Sequence, residues 1–182
     1  MALETVFREL QVRLQFMDGT LAMLQKTLED RPPDQGSAVV DDLENIVLDM
    51  MGTLHDMRKA GSLARRRVGH PVDLDGARQA LTRCQGSFHR IENEFSGGLT
   101  AYNKLRELSR LGARGGEWPS WAGRTRQDIE QCQQPLQELS KALVACWQEL
   151  VEQGGRTSIS VTNTGQRIVA RKPLDEEKMR AT

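Results

Sequence analysis

The sequence predicts an all-α fold: an antiparallel up-down-up-down four-helix bundle with heptad seams and a short C-terminal β-hairpin. Three observations carry that expectation. Apolar residues recur at alternating steps of three and four in four separate stretches. Short segments rich in Pro or Gly divide the stretches. Near the C-terminus the apolar period drops to two, the period of a half-buried strand.

The first stretch is the most regular. Leu3, Phe7, Leu10, Leu14, Met17, Leu21, Leu24 and Leu28 keep one face of a helix from about Ala2 to Glu29, at the mean step of about 3.5 that holds an apolar seam against a partner helix. Such a helix is about 40 Å long and cannot bury its seam against itself, so the rest of the chain must supply partners. Gly19, inside it, costs roughly 1 kcal/mol against Ala. Pro32 and Pro33 end it, because proline cannot continue the hydrogen-bond ladder and pushes the preceding residue out of the helical region.

Ser37 is placed to cap the second helix, whose seam is Val40, Leu43, Val47, Met50, Leu54 and Met57. Val39, Ile46 and Met51 widen the stripe, as suits a helix with two neighbours. Gly61 is expected to end it, leaving Ser62 to Pro71 as a loop. The third helix opens around Asp73, with Asp73 and Asp75 at the positive end of its dipole. Leu74, Ala77, Leu81, Cys84, Phe88, Ile91, Phe95, Tyr102 and Leu105 form its seam. Gly97 and Gly98 interrupt the pattern, yet Phe95 and Tyr102 lie a heptad apart, so the phase survives and predicts one continuous helix to about Leu111.

Pro119 suits the first turn of the fourth helix. Its seam is Ile129, Cys132, Leu136, Leu139, Leu143, Cys146 and Leu150, Pro135 is expected to kink it, and Gly154 and Gly155 are expected to end it. The bundle then spans 1–154. Residues 155–173 read as the hairpin: Ile159 and Val161 alternate with polar neighbours, Asn163 to Gly165 supply the turn, and Ile168 and Val169 lie on the return strand. Residues 174–182 read as a charged, flexible tail. Helices 3 and 4 outlast helix 2, so their hairpin should overhang, leaving seam for self-association or a partner.

Composition narrows the function classes. Lys+Arg and Asp+Glu both number 25, so no overall charge draws the chain to nucleic acid or an acidic membrane. Apolar runs of a few residues do not make a membrane span, and the charged first turns do not read as a secretory signal. Cys84, Cys132 and Cys146 are odd in number, widely spaced and on helix seams. They read as small buried hydrophobes in a reducing, cytoplasmic compartment.

Catalytic and metal patterns are sparse. No His has Glu three residues before it, as di-metal bundles require; His89 and Glu92 are in the reverse order, off the seam. No metal or other cofactor is expected. The glycine pairs lack the Lys and Ser/Thr of a phosphate loop, and no G-x-S-x-G elbow is present. Arg65, four residues, then His70 resembles the R-x4-6-H element of HEPN ribonucleases, which are also helical. The resemblance covers this short pattern and implies RNA cleavage by Arg65 and His70. That family places the element near a helix start, whereas Gly69 and Pro71 read as a loop.

The topology also predicts a basic pole. The end of helix 2, with Arg58, Lys59, Arg65, Arg66 and Arg67, should lie near Arg156, Arg167, Arg171 and Lys172, with Asp56, Asp73, Glu149 and Glu152 cancelling part of the charge. Trp118 and Trp121 should cap the core or form a contact platform. The resulting expectation is a non-enzymatic adaptor or structural subunit that binds protein, a second copy or both. Its docking residues would be Ile159, Val161, Ile168 and Val169, with Trp118 and Trp121. The alternatives are nucleic-acid binding at the basic pole and a HEPN-like ribonuclease.

Overall fold

In a computed structural model that describes residues 3–31, 38–112 and 120–157, the chain is all-helical. Its helices are α1 (Leu3–Glu29), α2 (Ala38–Arg67), α3 (Leu74–Gly112) and α4 (Ser120–Thr157), packed against one another. The closest packing joins α2 to α3 and α1 to α4; α1 also packs on α2, and α3 rests more lightly on α4. Named contacts give directions. Thr27, late in α1, bonds Asp128, early in α4, whereas Val6 meets Cys146. Ile46 and Leu43 approach Gly98, whereas Met57 meets Cys84. Residue numbers therefore fall in one helix as they rise in its neighbour.

The core is the set of seams. In α1, Phe7, Leu10, Leu14, Met17, Leu21, Leu24 and Leu28 are all buried. Opposite them lie Val40, Leu43, Val47, Met50, Leu54 and Met57 of α2, then Ala77, Leu81, Cys84, Phe88 and Ile91 of α3. All seven seam residues of α4, from Ile129 to Leu150, are buried too. The helix is continuous through Pro135. That residue removes the N–H that would bond the Gln131 carbonyl, but Gln131 is on the exposed side, where water can serve the oxygen.

α3 also runs unbroken across Gly97 and Gly98. Gly98 fills the seam position between Phe95 and Tyr102, and a Cβ there would lie 3.5 Å from Ile46 Cγ2. The missing side chain lets α2 approach closely, which is how the glycine contributes to packing while weakening the helix itself.

Two expected helix ends are corrected. α2 does not stop at Gly61 but continues to Arg67, because Gly61 occupies the seam slot between Met57 and buried Ala64, with buried Val68 next in phase. A Cβ on Gly61 would sit 3.0 Å from Leu14 Cδ1, so the residue is glycine where α1 and α2 touch. Gly61→Val is expected to overpack this contact and cost about 1–3 kcal/mol, read as a lower denaturant midpoint; an unchanged midpoint would mean that α1 can shift freely. Likewise α4 passes Gly154 and Gly155 to Thr157. Gly154 is buried, and a Cβ there would lie 3.1 Å from the Arg78 guanidinium. Residues 155–157 are thus helical and not part of the expected hairpin; 158–173 and the tail at 174–182 lie outside the described residues.

The start of α3 follows its sequence. Asp73 Oδ1 accepts the Gly76 N–H at 2.9 Å, and its other oxygen is 3.2 Å from Arg67. A Cβ on Gly76 would collide with that carboxylate. The connector before it contains a cis His70–Pro71 bond. Asp73→Ala is expected to cost about 1–2 kcal/mol through loss of the cap, and Asp73→Asn much less. Equal losses on urea unfolding would rule out a capping role.

Candidate functional site

The two faces of α1 differ from what a single-seam helix would show. Opposite the buried seam runs a second row with the same alternating steps: Thr5, Glu9, Val12, Phe16, Gly19, Met23, Lys26 and Asp30. All eight are exposed. Val12, Phe16 and Met23 are 52%, 62% and 59% exposed, so three large apolar side chains lie in one row with charge at both ends. A Cβ on Gly19 would meet nothing within 4 Å. The fold therefore does not require glycine there, although it costs the helix about 1 kcal/mol. Gly52, Gly86 and Gly123 are as open, but none lies between two exposed large apolar residues. Among the described residues, the other exposed large apolar side chains, Leu48, Val72 and Val144, are on α2, the connector and α4.

The flanks of α1 are tied down on both sides. Toward α2, Arg58 is 3.2 Å from Asp18, and Arg65 donates to the Gln11 side-chain carbonyl. Toward α4, the Thr27 hydroxyl lies 2.6 Å from Asp128 Oδ2 and 3.1 Å from the Met23 carbonyl. Asp128 is nearly buried, so this charge-assisted contact supplies a hydrogen bond that a buried carboxylate needs. These ties fix the rotation of α1 and hold its second row outward.

A second feature surrounds the C-terminal half of α2. A groove of about 510 Å³ between α1 and α2 is lined by Arg8, His55, Arg58, Lys59 and Arg65. On the other side a groove of about 600 Å³ between α2 and α3 is lined by Lys59, Arg66 and Arg83, with Ser62, Ser87 and the acid Asp56. Of the expected pole, Arg58, Lys59, Arg65 and Arg66 line these grooves as a lateral ridge along α2 that reaches Arg83, whereas Arg167, Arg171 and Lys172 lie outside the described residues. Arg65, Arg66 and Arg67 sit in the last turn of α2, and the expected loop at 62–67 is corrected to helix. Arg66 lines the second groove, whereas Arg67 is held by Asp73.

Other sequence candidates are placed as follows. Arg65 faces Gln11, while His70 is exposed in the connector; no described contact joins them. His89 and Glu92 lie 3.3 Å apart on an exposed face of α3. Among the described residues, no group of three or more His, Cys, Asp or Glu could hold a metal ion. Trp121 falls in the first turn of α4. Trp118, Ile159, Val161, Ile168, Val169, Arg167, Arg171 and Lys172 lie outside the described residues.

The thiols are core groups. Cys84 Sγ–H points to the Met57 carbonyl at 3.7 Å and Cys146 Sγ–H to the Val6 carbonyl at 3.4 Å. Burial pushes Cys84 up to about 12; burial and then the Asp128 charge do the same for Cys132. Cys146 is raised further, by burial and then by Cys84. Thiols held protonated are poor nucleophiles and poor metal ligands.

No described helix is long and apolar enough to cross a membrane. Compared with protein-family models, curated proteins and solved structures, the chain matches none.

Proposed function

We propose that the protein is a non-enzymatic helical-bundle subunit or adaptor that works by protein–protein contact, with the outer face of α1 as a docking element. The observation that carries this reading is the row Val12, Phe16 and Met23, each more than half exposed on a helix whose opposite row is buried. Single exposed apolar residues are ordinary; a contiguous row bounded by charge is the pattern of an interaction surface. The period-two apolar pattern of the sequence at 158–173 makes that segment the second docking element in this reading, through strand addition to a partner sheet.

The test is a photo-activated cross-linking residue at position 16 of the full chain, in the cells that make it, beside the same residue at exposed position 137. A discrete protein adduct from position 16 and none from 137 is expected. The reading fails if position 16 gives no adduct, or if both positions give the same smear.

The α2 ridge favours a second reading, nucleic-acid binding through the phosphate backbone. Lys59, Arg66 and Arg83 converge on one groove with Asp56 as its lining acid, and neither groove is lined by Phe, Trp or Tyr, so contact would be electrostatic and sequence-independent. Its affinity would fall steeply with salt and vanish in Arg66→Glu/Arg83→Glu. Salt-independent or absent binding removes it.

A further inference from the structure

We infer that the outer row of α1 docks on the same row of a second copy, antiparallel, about a two-fold axis between Met17 and Asp18. This inference rests on the protein-contact reading above and names its partner. The row is self-complementary under that operation. Phe16 of one copy falls opposite Gly19 of the other, so the exposed ring enters the notch that the absent side chain leaves. Val12 falls opposite Met23. Glu9 falls opposite Lys26, and on one flank Arg8 falls beside Glu29.

The orientation follows from the charges. A parallel pairing would stack Glu9 on Glu9 and Lys26 on Lys26, an arrangement of like charges that opposes association. It would also set Gly19 against Gly19, leaving a gap, and Phe16 against Phe16. Antiparallel pairing turns each of these into a complementary contact, twice over by symmetry. Within one copy Glu9 is 2.7 Å from Arg13 and Lys26 3.8 Å from Asp30. Both are exposed pairs of the kind that contribute little, so their carboxylate and ammonium can reach across. The steps of three and four that keep the buried seam in phase keep this row in phase as well, so α1 supplies one heptad face to its own bundle and one to its copy.

The test is sedimentation equilibrium of the full chain over a wide concentration range. A monomer–dimer equilibrium is expected. Glu9→Lys should weaken it by about tenfold or more, and Glu9→Lys with Lys26→Glu should restore it to within about threefold. Gly19→Leu supplies the second readout. It fills the notch and should weaken the dimer by about tenfold, while the better helix former leaves the melting temperature of the dilute monomer unchanged or higher. A role for Gly19 confined to the fold would move the two readouts together. A monomer at every concentration overturns the inference, as does a dimer indifferent to Glu9→Lys and Gly19→Leu. A position-16 adduct with a different protein overturns the self-pairing and leaves the docking face standing, whereas no adduct removes both.

Discussion

Leu139→Ala is expected to destabilise the protein by about 2–5 kcal/mol, because it removes a large buried side chain and leaves a cavity. Leu139 is fully buried on α4, and that helix packs on α1 and, more lightly, on α3. Gln137, two residues away on the exposed side, should tolerate alanine within about 0.5 kcal/mol. Urea unfolding of the two variants is the measurement. The contrast tests the rotation of α4 about its own axis, since a helix turned by about half a turn would exchange their effects. Total stabilities of domains are about 5–15 kcal/mol, so the alanine at 139 should remove a large share.

Stability is expected to fall steeply above pH 9. In the folded chain burial raises Cys84 and Cys132 from 9.0 to about 12, and Cys146 further. In the unfolded chain each thiol ionises near its ordinary value. Between these limits the folded state therefore holds protons that the unfolded state has released, and stability falls as pH rises. The stabilising contribution is complete below pH 9 and is lost on the way to 12. At pH 10 the loss is about 1.4 kcal/mol per thiol, or about 4 kcal/mol for three. Replacing all three by alanine lowers stability at pH 7 by making cavities, yet should flatten the descent between pH 8 and 10 by that amount. Parallel descents for the parent and the triple variant would show that the thiols do not drive it.

The sequence was most legible where large side chains keep the helical period. The inner row of α1 is buried residue for residue, with Leu3 partly covered. The phase across Gly97 and Gly98 predicted the continuity of α3 correctly, since period is a property of the whole seam and outweighs the low propensity of two residues. The same argument applies at Gly61, where the glycine reads as a stop. Met57, Gly61, Ala64 and Val68 keep the step of four and three, and small residues are what a close α1–α2 approach needs. Glycine thus had two opposite meanings, helix end or helix contact, and phase separates them better than propensity does.

Less of the candidate site was legible. The outer row of α1 is present in the sequence with the same spacing as the inner one, but the inner row is richer in Leu and masks it. Exposure of Val12, Phe16 and Met23 distinguishes the two rows, and exposure depends on where α2 and α4 lie. The Thr27–Asp128 contact joins residues 101 apart, and no local pattern announces it. The basic residues were visible as a run at 65–67, but Arg8 and Arg83 join that neighbourhood only through the packing of α1 and α3 on α2.

In the proposed function α1 has a core face and a docking face, and methionine methyl resonances report on both at once. Met17 is buried in the seam and Met23 is exposed in the outer row, on the same helix. In methyl-labelled full-length protein, raising the concentration should shift or broaden the Met23 signal while Met17, Met50 and Met57 stay fixed. A Met23 signal that never moves would contradict the self-pairing of the outer row, and core methionines that move equally with it would contradict the two-faced helix on which the proposed function rests.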